Sequence, residues 1–212
     1  MKYCSAHVSF DHAWREVAMA FWRRYPNPKA THVLSEDTLF RRVCGPVIHS
    51  KRVLIKTNKL PRWGERFVAG AKLVSIVEES MLDLYNKTLV TYTRNFGSYS
   101  GILSIEEKCI YTQDPENRSR TLLYREAWIG SNVRGFSHLL QSFGIQRYKH
   151  NAVTASKGFV HVLNRLFPNN REHQQTATET RSSTPACPHL HGKGKSLSSK
   201  VQDTIKSSSA VS

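Results

Sequence analysis

Apolar and polar residues alternate from the start of the chain. From Lys2 to Phe10, Cys4, Ala6, Val8 and Phe10 fall on one face and Tyr3, Ser5, His7 and Ser9 on the other, the period-two pattern of a half-buried strand. His7 falls on the polar face and reads as a solvated histidine. The period then lengthens. Trp14, Val17, Ala18, Phe21, Trp22 and Tyr25 form one helical stripe, with Asp11 as its expected N-cap and Pro26 and Pro28 as its stop. Arg23 and Arg24 would then complement the dipole of the last turn.

From residue 31 the pattern returns to strands, expected over 32–44, 51–59, 72–82, 88–96, 102–111 and 120–129. Gly45-Pro46, Tyr85-Asn86-Lys87, Gly97 to Gly101 and Asp114-Pro115-Glu116-Asn117 punctuate them. Connections this short favour an antiparallel meander. A long helix over 133–167 closes the ordered part. One line along it reads Phe136, Leu140, Phe143, Arg147, Asn151, Thr154, Gly158 and Val162, and a second reads Tyr148, Ala152, Ala155, Phe159 and Leu163. The first line is apolar at both ends and polar in the middle. Arg147 and Asn151 therefore either turn out to solvent or face a polar cavity between helix and sheet, because an unpaired buried cation is very costly.

The strand over 51–59 carries Arg52, Leu54, Lys56 and Asn58 on one face and Val53, Ile55, Thr57 and then Lys59 on the other. Pro61 ends it, and Arg62-Trp63-Gly64-Glu65-Arg66-Phe67-Val68-Ala69-Gly70 reads as a lid-like loop between two glycines. Two readings compete. The lysines of an edge strand guard against edge-to-edge pairing. Cations delivered beside a loop of aromatics and arginines also suit an anionic amphiphile. The adjacent carboxylates Glu78-Glu79 and Glu106-Glu107 read as surface or ion-pair residues rather than acid/base groups, and no inward carboxylate is assigned.

Charge sharpens the choice. The formal net charge is +15, and residues 168–212 supply only +3 of it, so the body is strongly basic. A polyanion is the expected partner: nucleic acid, an anionic membrane or a phosphorylated ligand. No apolar run is long enough to span a bilayer, and the N-terminus lacks the order of a secretory leader. Cys4, Cys44, Cys109 and Cys187 show no framework spacing and read as buried thiols or a loose tail thiol. Residues 170–212 are rich in Ser, Thr, Gln, Lys and Gly and are expected to be a disordered tail after a domain spanning 1–169. Cys187, His189 and His191 lack a fourth ligand at usual spacing, so no metal and no cofactor is expected.

Two stretches carry a resemblance. Phe21-Trp22-Arg23-Arg24-Tyr25-Pro26-Asn27-Pro28 followed by His32-Val33-Leu34-Ser35-Glu36-Asp37, and Lys56-Thr57-Asn58-Lys59-Leu60-Pro61-Arg62-Trp63, resemble signatures of the PRELI-like family. Tyr92-Thr93-Arg94-Asn95, Glu106 to Tyr111, Arg125-Glu126-Ala127-Trp128 and Lys157-Gly158-Phe159 resemble it further, so that residues 1–167 are covered. These are mitochondrial intermembrane-space phospholipid transfer proteins. The resemblance implies an α+β helix-grip fold: an antiparallel sheet of about seven strands curved around a long C-terminal helix, with a lid loop. It implies a headgroup site at Arg24, His32, Arg52, Lys56, Lys59, Arg147 and Asn151, and membrane contact through Arg62, Trp63, Arg66 and Phe67. It also implies a small helical-hairpin partner with twin cysteine pairs, forming a heterodimer. Thr154 departs from the family, which often has lysine there, and the Ser/Thr-rich tail departs from the Ala- and Lys-rich tail of the nearest branch.

The function expected from these readings is non-enzymatic transfer of phosphatidic acid, with phosphatidylserine as the alternative headgroup. An enzyme of the same architecture would need convergent acid/base groups, of which the sequence offers no recognisable set. A nucleic-acid binder would explain the charge but shows no recognition motif.

Overall fold

In the computed structural model, which describes residues 1–57, 73–97 and 100–168, the described residues form seven strands and two helices. The lid-like loop, with Lys59, Arg62, Trp63, Arg66 and Phe67, and the expected tail with Cys187, His189 and His191 lie outside the described residues. The strands are β1 (Lys2–Phe10), β2 (Val33–Cys44), β3 (Val47–Thr57), β4 (Leu73–Asp83), β5 (Thr88–Phe96), β6 (Ser104–Gln113) and β7 (Thr121–Gly130). Helix α1 spans Trp14–Phe21 and helix α2 spans Ser137–Leu166.

All seven strands join one antiparallel sheet in the order β1-β7-β6-β5-β4-β3-β2. From β2 to β7 it is the meander expected of short connections. Gly45, at φ +57°, turns β2 into β3, and Asp83 closes the β4–β5 turn by accepting from the amides of Tyr85 and Asn86 at 2.9 Å each. α1 lies in the connection between the two edge strands, β1 and β2. β3 is therefore an inner strand, and the reading of its lysines as edge protection is overturned. The edge is β2, which bears two register shifts and exposes Leu34, Leu39, Phe40 and Val43.

The cap of α1 also differs from expectation. Ala13 occupies the N-cap and its amide donates to Glu16 Oε2 at 3.0 Å, while Asp11 instead meets Arg120 at 3.4 Å. The helix ends at Phe21, one turn earlier than its apolar stripe suggested, so Arg23 and Arg24 lie beyond its last turn.

Two apolar clusters hold α2 to the concave face. Phe10, Trp14, Val17, Phe21, Leu89, Tyr111, Phe159 and Leu163 fill one, under α1 and the C-terminal half of α2. Leu103, Ala127, Ile129 and Leu140 fill the other, under its N-terminal half. Close approach explains two helix glycines. A Cβ on Gly144 would sit 2.8 Å from Ile129 Cγ2, and one on Gly158 would sit 2.6 Å from Asn27 Oδ1. Among the described cysteines, Cys109 is buried and Cys4 half-buried, but Cys44 is exposed at the end of the β2 edge, contrary to the buried-thiol reading.

Candidate functional site

A cavity of about 470 Å³ lies between α2 and the concave face of the sheet. Its walls include Phe10, Leu54, Val74, Ile76, Leu103, Ile105 and Phe159. Among the described residues, Arg24, Lys29, Lys56, Arg125 and Arg147 bring five cations to it, against two carboxylates, Glu78 and Glu107. The polar middle of the α2 stripe thus resolves in favour of the cavity, since both Arg147 and Asn151 line it. Thr154 does not. Its hydroxyl turns back to the His150 carbonyl at 3.1 Å, so a lysine at this position would start from outside the cavity lining.

Of the expected headgroup residues, Arg24, His32, Lys56, Arg147 and Asn151 are brought together around the cavity. His32 and Asn151 are exposed, whereas Lys56 and Arg147 are half-buried. Burial lowers the pKa of His32 below its usual value, and the charges of Lys56 and Arg147 lower it further. Tyr25, also in the lining, stands with Lys56 Nζ 5.9 Å and Arg24 Cζ 5.1 Å from its ring centre. Burial would raise its phenol, but Lys56 and Arg24 outweigh this and hold the pKa below the ordinary value.

Arg52 behaves differently. Its strand parity does turn it inward, but it is 1 % exposed and does not line the cavity. Its Nε and Nη2 donate to Glu78 Oε1 at 3.0 and 2.5 Å, and Nη1 meets Glu36 Oε1 at 2.9 Å. The other oxygen of Glu78 accepts from Arg24, whose Nη1 also donates to the Phe21 carbonyl at 3.2 Å and so caps the end of α1. Burial opposes ionisation of Glu78, yet Arg24 and Arg52 prevail and keep its pKa below the ordinary carboxylate value. Arg52 and Glu78 thus fix Arg24 from behind; Arg24 and Glu78 line the cavity and Arg52 does not.

Sequence reading gave Arg125, Tyr25 and Tyr148 no role at the site; Glu78 and Glu107 are ion-paired, as one of its readings had it, but they face inward at the cavity, which was not assigned. The cross-strand register makes their grouping plain: Arg52 pairs with Glu78, Glu78 with Thr93, and Thr93 with Glu107, one inward row across four strands. The next row runs Ser50, Ser80, Thr91, Cys109, Arg125. A polar belt therefore crosses the concave wall between the two apolar clusters. The alternation of β4, in which Glu78 shares a face with Val74, Ile76 and Leu82, was the available signal. At the far part of the belt Tyr148 Oη donates to Glu107 Oε1 at 2.6 Å, and Arg125 Nε lies 3.3 Å from the same oxygen. Burial raises the pKa of the Cys109 thiol and of the Tyr148 hydroxyl, and Glu107 adds to both, so each stays protonated near neutrality. Among the described residues no cluster of His, Cys, Asp and Glu could hold a metal ion, and no helix is long and apolar enough to cross a membrane.

An antiparallel seven-stranded sheet gripping a long C-terminal helix around a cavity defines the helix-grip class. Solved structures of this class include TTHA0849 from Thermus thermophilus, with a TM-score of 0.54 at 13% identity over 78% of this chain and 99% of that one. The Zhui aromatase/cyclase from a Streptomyces strain follows at TM-score 0.51 and 10% identity, over 77% and 94%. Within that class, the model of the PRELI-like family matches residues 15–170, and this chain belongs to that family. PRELI domain-containing protein 1, mitochondrial, of Gallus gallus is 43% identical over 168 residues, 78% of each chain. The Homo sapiens protein of the same name is 38% identical over 169 residues (78% of this chain, 77% of that one). Protein UPS1, mitochondrial, of Saccharomyces cerevisiae is 31% identical over 163 residues, 76% of this chain and 92% of the yeast protein.

Proposed function

We propose that this chain is a non-enzymatic carrier that moves phosphatidic acid between membranes of the mitochondrial intermembrane space. One observation carries the reading: a cavity between helix and sheet, with apolar walls, receives Arg24, Lys56 and Arg147, with His32 and Asn151 at its exposed margin. Such a site holds a phosphate by charge-assisted hydrogen bonds while the walls take acyl chain out of water. The mitochondrial setting rests on the names of the family's relatives. The carrier reading is further supported by the chemistry of the chamber. The Cys109 thiol and the Tyr148 phenol are held protonated rather than activated, and both lining carboxylates are engaged by arginines.

Phosphatidic acid presents a phosphomonoester carrying between one and two negative charges near neutrality. Phosphatidylserine adds an ammonium that needs an acceptor. Glu78 and Glu107 are the carboxylates that line the cavity among the described residues, and arginines already occupy them. The balance of the lining therefore favours the phosphomonoester. In the cycle, the segment carrying Arg62, Trp63, Arg66 and Phe67 meets the anionic bilayer, aromatics toward the acyl region and arginines toward headgroups. A helical-hairpin protein with twin cysteine pairs is proposed as the stabilising partner, and co-purification from intermembrane-space extract tests it.

The direct test of the site is Lys56→Glu with Arg147→Glu. Extraction of phosphatidic acid from vesicles should fall at least tenfold, on the scale of losing and then opposing one charge-assisted contact, while the melting temperature changes little. A folded double variant that still extracts the lipid normally would remove these residues from the site.

A further inference from the structure

Arg125 lies on the inner face of β7, is 8 % exposed and lines the cavity. Its charge is met on one side only. Nε lies 3.3 Å from Glu107 Oε1 without hydrogen-bond geometry, and that same oxygen already accepts from Tyr148 at 2.6 Å. Among the described residues no side chain or carbonyl accepts a hydrogen bond from the guanidinium. The neighbours in its row are Ala6 on one side and the Cys109 thiol and, beyond it, Thr91 on the other, none of which balances a cation.

While water fills the chamber, the terminal N–H groups of Arg125 can be solvated. Filling it with hydrocarbon alone would strand them, at the cost of an unsatisfied buried donor on a charged group. A ligand that displaces this water without penalty must carry an oxygen acceptor on the part that enters the cavity. Glu107 stands in the same sheet row as Glu78, with one strand between them, a separation of roughly 10 Å from two strand spacings. Glu78 in turn holds Arg24. Arg125 is thus set back from the cationic end, on the side of the ligand that lies beyond the phosphate.

We infer that Arg125, oriented by Glu107 and Tyr148, forms a second polar subsite that accepts an ester carbonyl of a diacyl lipid whose phosphate is bound at Arg24, Lys56 and Arg147. The inference deepens the carrier reading and rests on it. It makes the chamber a reader of the glycerol–ester region as well as of the headgroup. Lipids whose chains are joined by ether links, which lack the carbonyl oxygen, should be handled poorly.

The test uses the full chain and two probes, dioleoyl phosphatidic acid and its dialkyl ether analogue, each presented in phosphatidylcholine vesicles. The wild type should transfer the diester on the order of tenfold faster than the diether, the worth of one hydrogen bond to a charged group. Arg125→Met should erase the ratio. Because that variant leaves Glu107 unpaired, Glu107→Gln/Arg125→Met serves as the second variant, removing both charges together, and it too should transfer both lipids alike. Equal transfer of diester and diether by the wild type overturns the inference, whatever the variants do. A preference for the diester that survives in a folded variant overturns the role of Arg125. If the wild type moves neither lipid, the carrier reading fails and the subsite fails with it; transfer of both at one rate sinks the subsite alone.

Discussion

Glu78→Gln is the most informative single change to the scaffold behind the site. Glu78 is 3 % exposed and bridges Arg52, which is 1 % exposed, and Arg24, whose side chain is 15 % exposed. Neutralising it leaves Arg52 with Glu36 as its remaining anion and Arg24 with none among the ion pairs of the described residues. Removing one partner of a buried pair costs about 3–5 kcal/mol, because the other charge stays buried without compensation. The amide still accepts a hydrogen bond, so the lower end, about 3 kcal/mol, is expected. Against a total stability on the order of 5–15 kcal/mol this is a large loss. The sign with pH follows from the lowered pKa of Glu78. Its contribution is fully present above the ordinary carboxylate value of 4.5 and is lost as the pH falls below that toward the lower folded value. Urea unfolding followed by circular dichroism, at neutral pH and at several values below 4.5, measures both effects. The wild type should lose stability across the acid window, and the gap to Glu78→Gln should close there. A loss at neutral pH below about 1 kcal/mol, the worth of an exposed ion pair, would refute the reasoning.

Two further outcomes follow from particular contacts. Gly158→Ala should destabilise by about 1–3 kcal/mol despite the better helix propensity of alanine, because the added Cβ falls 2.6 Å from Asn27 Oδ1, which itself accepts from the Lys29 amide at 2.9 Å; an unchanged urea midpoint would show that the loop yields freely. His32, whose pKa is lowered by burial, Lys56 and Arg147, should take up a proton more readily when an anion sits beside it. Nuclear magnetic resonance titration should therefore show its pKa rising on binding a phosphatidic acid of short chain length, and His32→Gln should weaken the pH dependence of binding between pH 7 and the usual histidine value of 6.5 and below. An imidazole whose titration ignores the lipid would place His32 outside the site.

The strands were legible because alternation and turn residues coincide, with most ends within two residues; the strand expected over 51–59 instead starts at Val47, directly after the Gly45-Pro46 turn. The 88–96 strand was read residue for residue, and parity alone grouped Cys4, Val8 and Phe10 on the inner face of β1 and Arg52, Leu54 and Lys56 on one face of β3, which the structure turns inward. The cation-bearing strand and the polar gap in α2 were legible for the same reason. What periodicity could not supply is strand order. It took the sheet to show that β1 pairs with β7, which leaves β2 as the edge, and that Glu78 and Glu107 share a row with Arg52. Arg24 illustrates the same limit. As a residue near the end of an apolar stripe it looked like a dipole complement, and only the approach of β4 reveals the carboxylate that holds it. Glu107 and Arg125 were invisible as a pair because they stand 18 residues apart on neighbouring strands, offset by one row of the register.

The most direct measurement of the central claim is competitive transfer by the purified chain. Donor vesicles would carry equal amounts of phosphatidic acid, phosphatidylserine and phosphatidylcholine, and acceptor vesicles would be analysed by mass spectrometry. The expected result is rapid appearance of phosphatidic acid with the other two lipids trailing well behind. Phosphatidylserine arriving as fast or faster would contradict the headgroup assignment, and no protein-dependent arrival of any lipid would contradict the carrier itself.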